Sequence, residues 1–293
     1  MSEFSPLSPH KGDRVELHGP HGPVAALRGP RPDEVIATAL LVPGYTGSKE
    51  DFAPLLDGIA EAAILPVAID LPGQYESPGP DDESAYAPAE LGKVVADLVS
   101  QLAADGPVLL LGHSYGGLVA RGAALAGAPI AGLTLLGSGP AALPPGPRYR
   151  AMEAGEPLLR ERGVEAAYVV RERLTAQLAP NRPPMPERLA EFYRERFLAT
   201  KAACLLGMAD GLRREPDLVP ELAAALREHD VPCLVVAGEH DDAWSVPSQR
   251  DMARRLDAEF VLIPDAAHSP NTENPTALLR ELLTRWHGWL GAA

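Results

Sequence analysis

Ser114 lies in the pentapeptide Gly-His-Ser-Tyr-Gly (112–116), between an apolar run (108–111) and a stretch with helical spacing that continues to position 126. The pattern G-x-S-x-G in this setting is typical of a sharp strand-to-helix turn that exposes the serine hydroxyl. Glycines are expected two positions before and after the serine because such a turn leaves little room for side chains. Free N–H groups at the start of the helix also favour developing negative charge. The sequence therefore predicts a nucleophilic serine.

A serine hydroxyl is a weak nucleophile unless a base takes its proton and a carboxylate orients that base. Two residues further along the chain fit these roles: Asp241, in the segment Gly-Glu-His-Asp-Asp, and His268, in the segment Pro-Asp-Ala-Ala-His-Ser-Pro. Each follows an apolar run. The spacing Gly-x-x-Asp favours Asp241 as the acid, and Asp242 is the alternative. His113 flanks the serine, but a tight turn is expected to direct its ring elsewhere, so His268 is the predicted base.

The loop after the third apolar run is a candidate for stabilising a reaction intermediate. A tetrahedral oxyanion needs two N–H donors, one of which comes from the residue after the nucleophile, here Tyr115. The loop has the sequence Val-Pro-Gly-Tyr-Thr-Gly-Ser, in which Gly44 and Gly47 allow the backbone to turn toward the serine. The N–H of Tyr45 is the predicted second donor.

The elements that must position these residues are short apolar runs that alternate with helical segments. The runs are 15–17, 24–27, 35–42, 65–69, 108–111, 133–136, 234–237 and 260–263. From the third run onward the interiors are apolar on both faces, as a parallel sheet covered by helices requires, whereas the first two favour an antiparallel hairpin. The pattern predicts an α/β protein with a mostly parallel, doubly wound, eight-stranded sheet, whose reactive groups gather at the carboxyl ends of the strands.

The alternation is interrupted between positions 139 and 230, where the sequence has helical patterning and no convincing strand. Prolines divide this segment into helices expected near Pro157–Ala179, Pro186–Leu206 and Pro220–Glu228. We therefore expect a core domain formed by 1–138 and 231–293 and a helical cap, or lid, formed by 139–230. The large apolar side chains of this segment either pack between its helices or face a substrate cleft.

The chain resembles the α/β-hydrolase superfamily over nearly its whole length. The resemblance rests on the turn around Ser114, the Pro-Gly-Tyr-Thr-Gly-Ser loop, the Gly-x-x-Asp turn and the Ala-His-Ser-Pro turn, which all occur in the family's order. Pro43 departs from the family's loop, which commonly has His before Gly. The resemblance implies a catalytic triad of Ser114, His268 and Asp241, an oxyanion hole formed by the amides of Tyr45 and Tyr115, and a helical cap.

Composition excludes several other classes of function. The chain has 293 residues, 46% of them hydrophobic, and a formal charge of −14, so it is large enough for an enzyme and has no basic stripe for nucleic acid. No apolar run approaches the length of a membrane span, and the N-terminal residues do not resemble a secretory signal. The two cysteines lack the spacing of a zinc site or a disulfide framework. We expect a cytoplasmic protein with no metal or organic cofactor and no nucleic-acid or membrane partner; its oligomeric state, monomer or dimer, is left open.

The function expected from these residues is hydrolysis of a carboxylic ester through an acyl-enzyme intermediate. The predicted cap has equal numbers of basic and acidic residues, so the rest of the chain carries the whole net charge. Because an acidic body repels polyanions, we expect a small or medium, uncharged and partly apolar substrate. Alternatives are hydrolysis of a thioester, an amide or a carbon–carbon bond by the same triad, or a ligand-binding protein without turnover.

Overall fold

The computed structural model of the chain describes residues 4–178 and 185–291. The remaining positions, 1–3, 179–184 and 292–293, fall within the expected core and cap ranges. They include Ala179, the expected end of the first cap helix. These positions lie outside the described residues.

The described residues form one eight-stranded sheet with the order β1-β2-β4-β3-β5-β6-β7-β8. The strands are β1 (Asp13–Gly19), β2 (Gly22–Arg28), β3 (Ala37–Val42), β4 (Ile64–Ile69), β5 (Val108–His113), β6 (Gly132–Leu136), β7 (Cys233–Gly238) and β8 (Glu259–Ile263). Strand β2 is antiparallel to β1 and β4, and all other neighbours are parallel. The predicted hairpin, the mostly parallel sheet and the fold class are confirmed.

Helices cover both faces of this sheet, as the apolar strand interiors require. They are α1 (Ala53–Glu61), α2 (Pro88–Leu102), α3 (Tyr115–Leu125), α4 (Pro147–Leu178), α5 (Glu187–Ala199), α6 (Ala202–Arg214), α7 (Val219–Glu228), α8 (Val246–Leu256), α9 (Pro270–Glu273) and α10 (Pro275–Gly291). Alternate residues of β3 belong to different cores: Leu40 packs with α2 and α3, and Leu41 packs with α1 and α10.

Strand β3 lies at the point where the order of strands reverses, because the chain continues to β4 on one side and later returns to β5 on the other. Val42 pairs with Gly112 in parallel register, so the loops after β3 and β5 begin side by side. A crevice at such a switch point is where open α/β sheets bind their ligands. The fold thus brings the Tyr45 loop and the Ser114 turn to the same edge.

Helices α4–α7 connect β6 to β7 and form what we call the helical insertion. Its first helix starts at Pro147 and contains Pro157, which was the expected start, and it is kinked at Gly163, where φ is 78°. The expected single helix Pro186–Leu206 is two helices. The break falls at Thr200 because the amide of Lys201 donates to the Gly73 carbonyl of the core, 2.9 Å away, instead of continuing the helix.

Among the described residues, none of the helices combines the length and the apolarity needed to span a bilayer.

Candidate active site

Ser114 occupies the turn between the last residue of β5 and the first residue of α3. Its φ of 55° and ψ of −119° lie in a region that side chains rarely adopt, so the turn is strained. A Cβ atom at Gly112 would overlap the carbonyl oxygen of Gly116, and one at Gly116 would overlap that of Val42. Both glycines of the G-x-S-x-G pattern are therefore required by close contacts between backbone segments.

The structure brings Ser114, His268 and Asp241 into one hydrogen-bonded chain. His268 Nε2 lies 2.9 Å from Ser114 Oγ, and His268 Nδ1 lies 3.0 Å from Asp241 Oδ1. The Asp241 carboxylate can only accept a hydrogen bond, so His268 Nδ1 carries the proton and donates it. His268 Nε2 is then left to accept from the Ser114 hydroxyl. In this arrangement His268 Nε2 can take the proton of Ser114 Oγ and later give it to a different atom that has come to occupy the same position.

The loops that carry Asp241 and His268 are held together at the end of β7. A Cβ atom at Gly238 would overlap the carbonyl oxygen of Ala267, so only glycine permits this approach. The amide of His240 donates to the Ala266 carbonyl, 2.9 Å away. This close packing explains why the Gly-x-x-Asp turn and the Ala-His turn meet.

The two candidate acids have different surroundings. The side chain of Asp241 is fully buried and also accepts from the Ala243 amide (2.9 Å) and from Gln249 Nε2 (2.9 Å). Asp242 is 61% exposed and binds Arg148 of α4 through two hydrogen bonds. Burial opposes ionisation of Asp242, but its hydrogen bond and charge interaction with Arg148 outweigh burial and lower its pKa. The structure therefore places Asp241, and not Asp242, against His268.

His113 has a contact that its sequence position does not reveal. Its ring Nε2 lies 2.8 Å from the backbone carbonyl of His268, and the two ring centroids are 5.2 Å apart. Burial, together with the neighbouring His268, lowers the pKa of His113 to about 4, so the ring is neutral near pH 7 and donates from Nε2. His113 thus supports the backbone of the predicted base.

The loop after β3 lies directly against the serine. A Cβ atom at Gly44 would lie 2.9 Å from Ser114 Cβ and 3.4 Å from its Oγ. The amide of Gly47 donates to the Gly44 carbonyl over 3.0 Å, and Thr46 adopts a φ of 60°, so the loop forms a tight turn. Tyr45 follows Gly44 in this turn. The role of its N–H as an oxyanion donor stays a prediction.

Tyr115 is the first residue of α3, so its amide has no acceptor within the helix and is available to a ligand. Its side chain points into the core, where the hydroxyl donates to the Tyr86 carbonyl over 2.5 Å. The Tyr45 side chain packs against an apolar cluster of the helical insertion that includes Leu159, Phe197 and Leu205. Burial raises the pKa of the Tyr45 hydroxyl to about 12, so this side chain is a neutral wall of the site.

Two residues of the site were not predicted from the sequence. Gln249, at the start of α8, donates to Asp241, and Gln74, in the loop after β4, donates to the Gly44 carbonyl over 2.8 Å. Neither belongs to a recognised motif. Among the described residues, no group of three or more His, Cys, Asp or Glu side chains is arranged to hold a metal ion.

The fold and the site together define a class of protein, the α/β hydrolases. A family model described as "Alpha/beta hydrolase family" matches residues 39–281. The chain belongs to this family.

The individual proteins to which the chain is similar are distant relatives. A curated protein of Bacillus subtilis (strain 168), provisionally named 2-succinyl-6-hydroxy-2,4-cyclohexadiene-1-carboxylate synthase, is 26% identical over 263 residues, which cover 85% of this chain and 89% of that protein. A thermophilic esterase from Thermogutta terrifontis is similar in structure, with a TM-score of 0.73, 21% identity, and coverage of 94% of this chain and 99% of the esterase chain. The MenH structure from S. aureus has a TM-score of 0.68, 22% identity, and coverage of 93% and 98%. At these identities the two structures show a shared fold only.

Proposed function

We propose that this chain is a serine hydrolase that cleaves the carboxylic ester of a small or medium, partly apolar substrate. The observation that carries the proposal is the hydrogen-bonded chain from Ser114 through His268 to the buried Asp241. Groups in this order, on a strained turn beside free backbone amides, are suited to attack on a carbonyl carbon.

In the proposed acylation step, Ser114 Oγ attacks the ester carbonyl carbon while His268 Nε2 takes the hydroxyl proton. Negative charge then develops on the former carbonyl oxygen, which accepts hydrogen bonds from the amides of Tyr45 and Tyr115. Asp241 keeps the proton of His268 on Nδ1 and stabilises the imidazolium. When the tetrahedral intermediate collapses, His268 gives its proton to the leaving alcohol and the acyl group remains on Ser114.

Deacylation repeats these steps with water as the nucleophile. His268 takes a proton from water, the hydroxide oxygen attacks the acyl carbon, and the same two amides stabilise the oxyanion. The carboxylic acid leaves as Ser114 recovers its proton from His268. Atoms and charge balance in both steps with the triad, the two amides and one water molecule.

The helical insertion is proposed to act as the cap that selects the substrate. In support, an apolar cluster of the insertion that includes Phe197 and Leu205 packs against Tyr45, and Arg196 of α5 pairs with Asp51 at 2.6 Å, just beyond the Tyr45 loop. These apolar contacts favour an acyl or alcohol group with apolar character.

The buried thiols of Cys204 and Cys233 are not joined in a disulfide, which fits the reducing cytoplasm as the setting of the protein.

The test is labelling with a fluorophosphonate, followed by mass mapping, together with a panel of 4-nitrophenyl esters. We expect covalent modification at Ser114 in the folded protein, and a loss of kcat of at least about 10⁴-fold in Ser114→Ala. A folded wild type that is not labelled at Ser114, or a Ser114→Ala variant with full esterase activity, would refute the proposal.

A second candidate is the reaction named for the Bacillus subtilis relative, the synthesis of 2-succinyl-6-hydroxy-2,4-cyclohexadiene-1-carboxylate. It is favoured by a match that extends over 85% of this chain. The same serine, histidine and aspartate would serve it, so the triad does not separate the two candidates. An assay for formation of that product, run beside the ester panel, does separate them.

A further inference from the structure

The side chain of Gln74 connects two loops beneath the candidate active site. It is fully buried, its Oε1 accepts from the Leu71 amide over 3.1 Å, and its Nε2 donates to the Gly44 carbonyl over 2.8 Å. Nε2 also lies 3.8 Å from the sulfur of Met208 on α6. Because Leu71 offers a donor and Gly44 an acceptor, only one orientation of the amide satisfies both.

The Gly44 carbonyl belongs to the same peptide unit as the Tyr45 N–H. This peptide is trans, so the C=O and N–H bonds point in opposite directions. Gln74 and the Gly47 amide both donate to the carbonyl oxygen and so fix the direction of the C=O bond. The Tyr45 N–H must then point in the opposite direction. Rotation of this one peptide would remove the donor from the proposed oxyanion hole.

Glycine at position 44 makes such a rotation inexpensive unless something prevents it. Gly44 has no Cβ to restrict its ψ angle, and an added Cβ atom would lie only 2.9 Å from Ser114 Cβ, so the position favours glycine. The turn hydrogen bond from Gly47 supplies one restraint on the carbonyl. The hydrogen bond from Gln74 supplies the second, from a different part of the chain.

The loop that carries Gln74 is itself fixed to the Tyr45 loop by a buried ion pair. Lys49 Nζ lies 2.9 Å from Asp70 Oδ2, both side chains are fully buried, and the Lys49 amide donates to Asp70 Oδ1 over 2.7 Å. The helical insertion also holds this loop next to Gln74, because the Lys201 amide donates to the Gly73 carbonyl. Gln74 therefore approaches Gly44 from a rigid support.

We infer that Gln74 is a positioning residue that orients the Gly44–Tyr45 peptide so that its N–H stabilises the oxyanion. The inference rests on the proposed function. Gln74 does not touch the substrate, so its loss should weaken binding of the transition state and leave ground-state binding nearly unchanged.

The test compares Gln74→Met with the wild type and with Gln101→Met. Gln101 is a matched control because it is exposed and also donates to a backbone carbonyl, that of His18, over 2.9 Å. Loss of a whole oxyanion donor costs roughly 10² to 10³ in kcat, so loss of its positioning should lower kcat by roughly 10- to 100-fold, with KM changed less than about threefold. The Ki of a trifluoromethyl ketone should rise by the same factor as kcat/KM falls. Gln101→Met should match the wild type.

Gln74→Glu provides a second measurement that a merely structural role would not predict. A protonated carboxyl can accept from Leu71 and donate to Gly44 as the amide does, whereas a carboxylate cannot donate. The measured quantity is the kcat of a variant divided by the kcat of the wild type at the same pH. At pH 5 this ratio should be higher for Gln74→Glu than for Gln74→Met. Any decline of the Gln74→Glu ratio should come as the pH rises. A Glu variant no faster than the Met variant at pH 5, or a Met variant with kcat within about threefold of the wild type, overturns the inference.

These outcomes are separable from failure of the proposed function. If the wild type hydrolyses no ester and Ser114 is not labelled, the proposed function is wrong. If the wild type is active and Ser114→Ala is inactive, but Gln74→Met behaves as the wild type, only the role of Gln74 is wrong.

Discussion

At the scale of single residues, two adjacent aspartates have opposite surroundings. Asp241 is buried and accepts three hydrogen bonds, one of them from His268, whereas Asp242 is exposed and binds Arg148. Asp241→Asn replaces the acceptor opposite His268 Nδ1 and permits the wrong tautomer, so kcat should fall by about 10⁴-fold. Steady-state kinetics on the most reactive ester measure this.

Asp242→Asn is the matched control for this change. It removes one exposed ion pair, so the free energy of unfolding should fall by less than about 1 kcal/mol and kcat should remain near that of the wild type. The assignment of the acid would be wrong if Asp242→Asn, and not Asp241→Asn, abolished activity.

His113 makes stability depend on pH. Its pKa is about 4 in the folded chain, lowered by burial and by His268, whereas the unfolded chain has the ordinary value near 6.5. The unfolded state therefore binds more protons between these values, and stability falls as the pH falls through this window. Between pH 6.5 and 5 the contribution is about 2 kcal/mol.

Urea unfolding of the wild type and of His113→Gln at several pH values measures this contribution. The variant should lose less stability than the wild type between pH 6.5 and 5, and His18→Gln, at an exposed position, should keep the wild-type dependence. Equal pH dependence in His113→Gln and the wild type would contradict the assignment.

Sequence motifs reveal the reacting residues more readily than they reveal the residues that support them. Ser114, His268 and Asp241 occur in recognisable turns, and the structure brings them together. Gln74 and His113 act through backbone carbonyls that are 30 and 155 positions away in the chain. A backbone carbonyl leaves no pattern of side chains, so these contacts could not be predicted.

At the scale of secondary-structure elements, the turn after β5 depends on the absence of side chains at its glycines. A Cβ atom at Gly112 would meet the backbone of Gly116 and Gly117, which cannot move without displacing β5 or α3. Gly112→Ala should therefore prevent folding or lower stability by several kcal/mol. Soluble yield and thermal unfolding measure the effect.

Gly155→Ala is the control for this substitution. Gly155 lies inside α4, and nothing would lie within 4 Å of an added Cβ atom. Because alanine favours a helix over glycine, the variant should gain about 0.5 to 1 kcal/mol of stability. A Gly112→Ala protein as stable as Gly155→Ala would show that the turn can relax.

The sheet could be predicted from the sequence because runs such as β5 are buried on both faces and hence apolar throughout. The break between α5 and α6 could not. The residues on both sides have helical spacing, and Lys201 leaves the helix only because its amide and its side chain find acceptors in Gly73 and Gly79 of the core. Tertiary contact overrides local propensity at this point.

At the scale of the whole molecule, Arg121 ties the helical insertion to the sheet domain. It lies on α3, and its guanidinium donates to the Pro140 carbonyl at the entry to the insertion and to the Glu215 carboxylate after α6. The side chains of Arg121 and Glu215 are nearly buried, with exposed fractions of 3% and 10%. Removal of the arginine leaves a buried carboxylate unpaired, so Arg121→Met should cost about 3 to 5 kcal/mol.

Arg160→Met is the comparison. Arg160 also joins the insertion to the core, through Glu83, but its side chain is 46% exposed, so its loss should cost less than about 1 kcal/mol. Denaturant unfolding of both variants measures the difference. Equal losses would mean that burial does not distinguish the two ion pairs.

Near Arg121 the two ends of the part of the insertion formed by α4–α6 lie side by side, since the Ala142 amide donates to the Glu215 carbonyl over 2.8 Å and the Leu143 amide to the Leu212 carbonyl over 2.7 Å. A segment whose two ends meet can be lengthened, shortened or exchanged without shifting the strands on either side. Positions 143 and 214 are therefore natural graft points. If the insertion selects the substrate as proposed, exchange of the segment between these positions should change which substrate is accepted and leave Ser114, His268 and Asp241 in place.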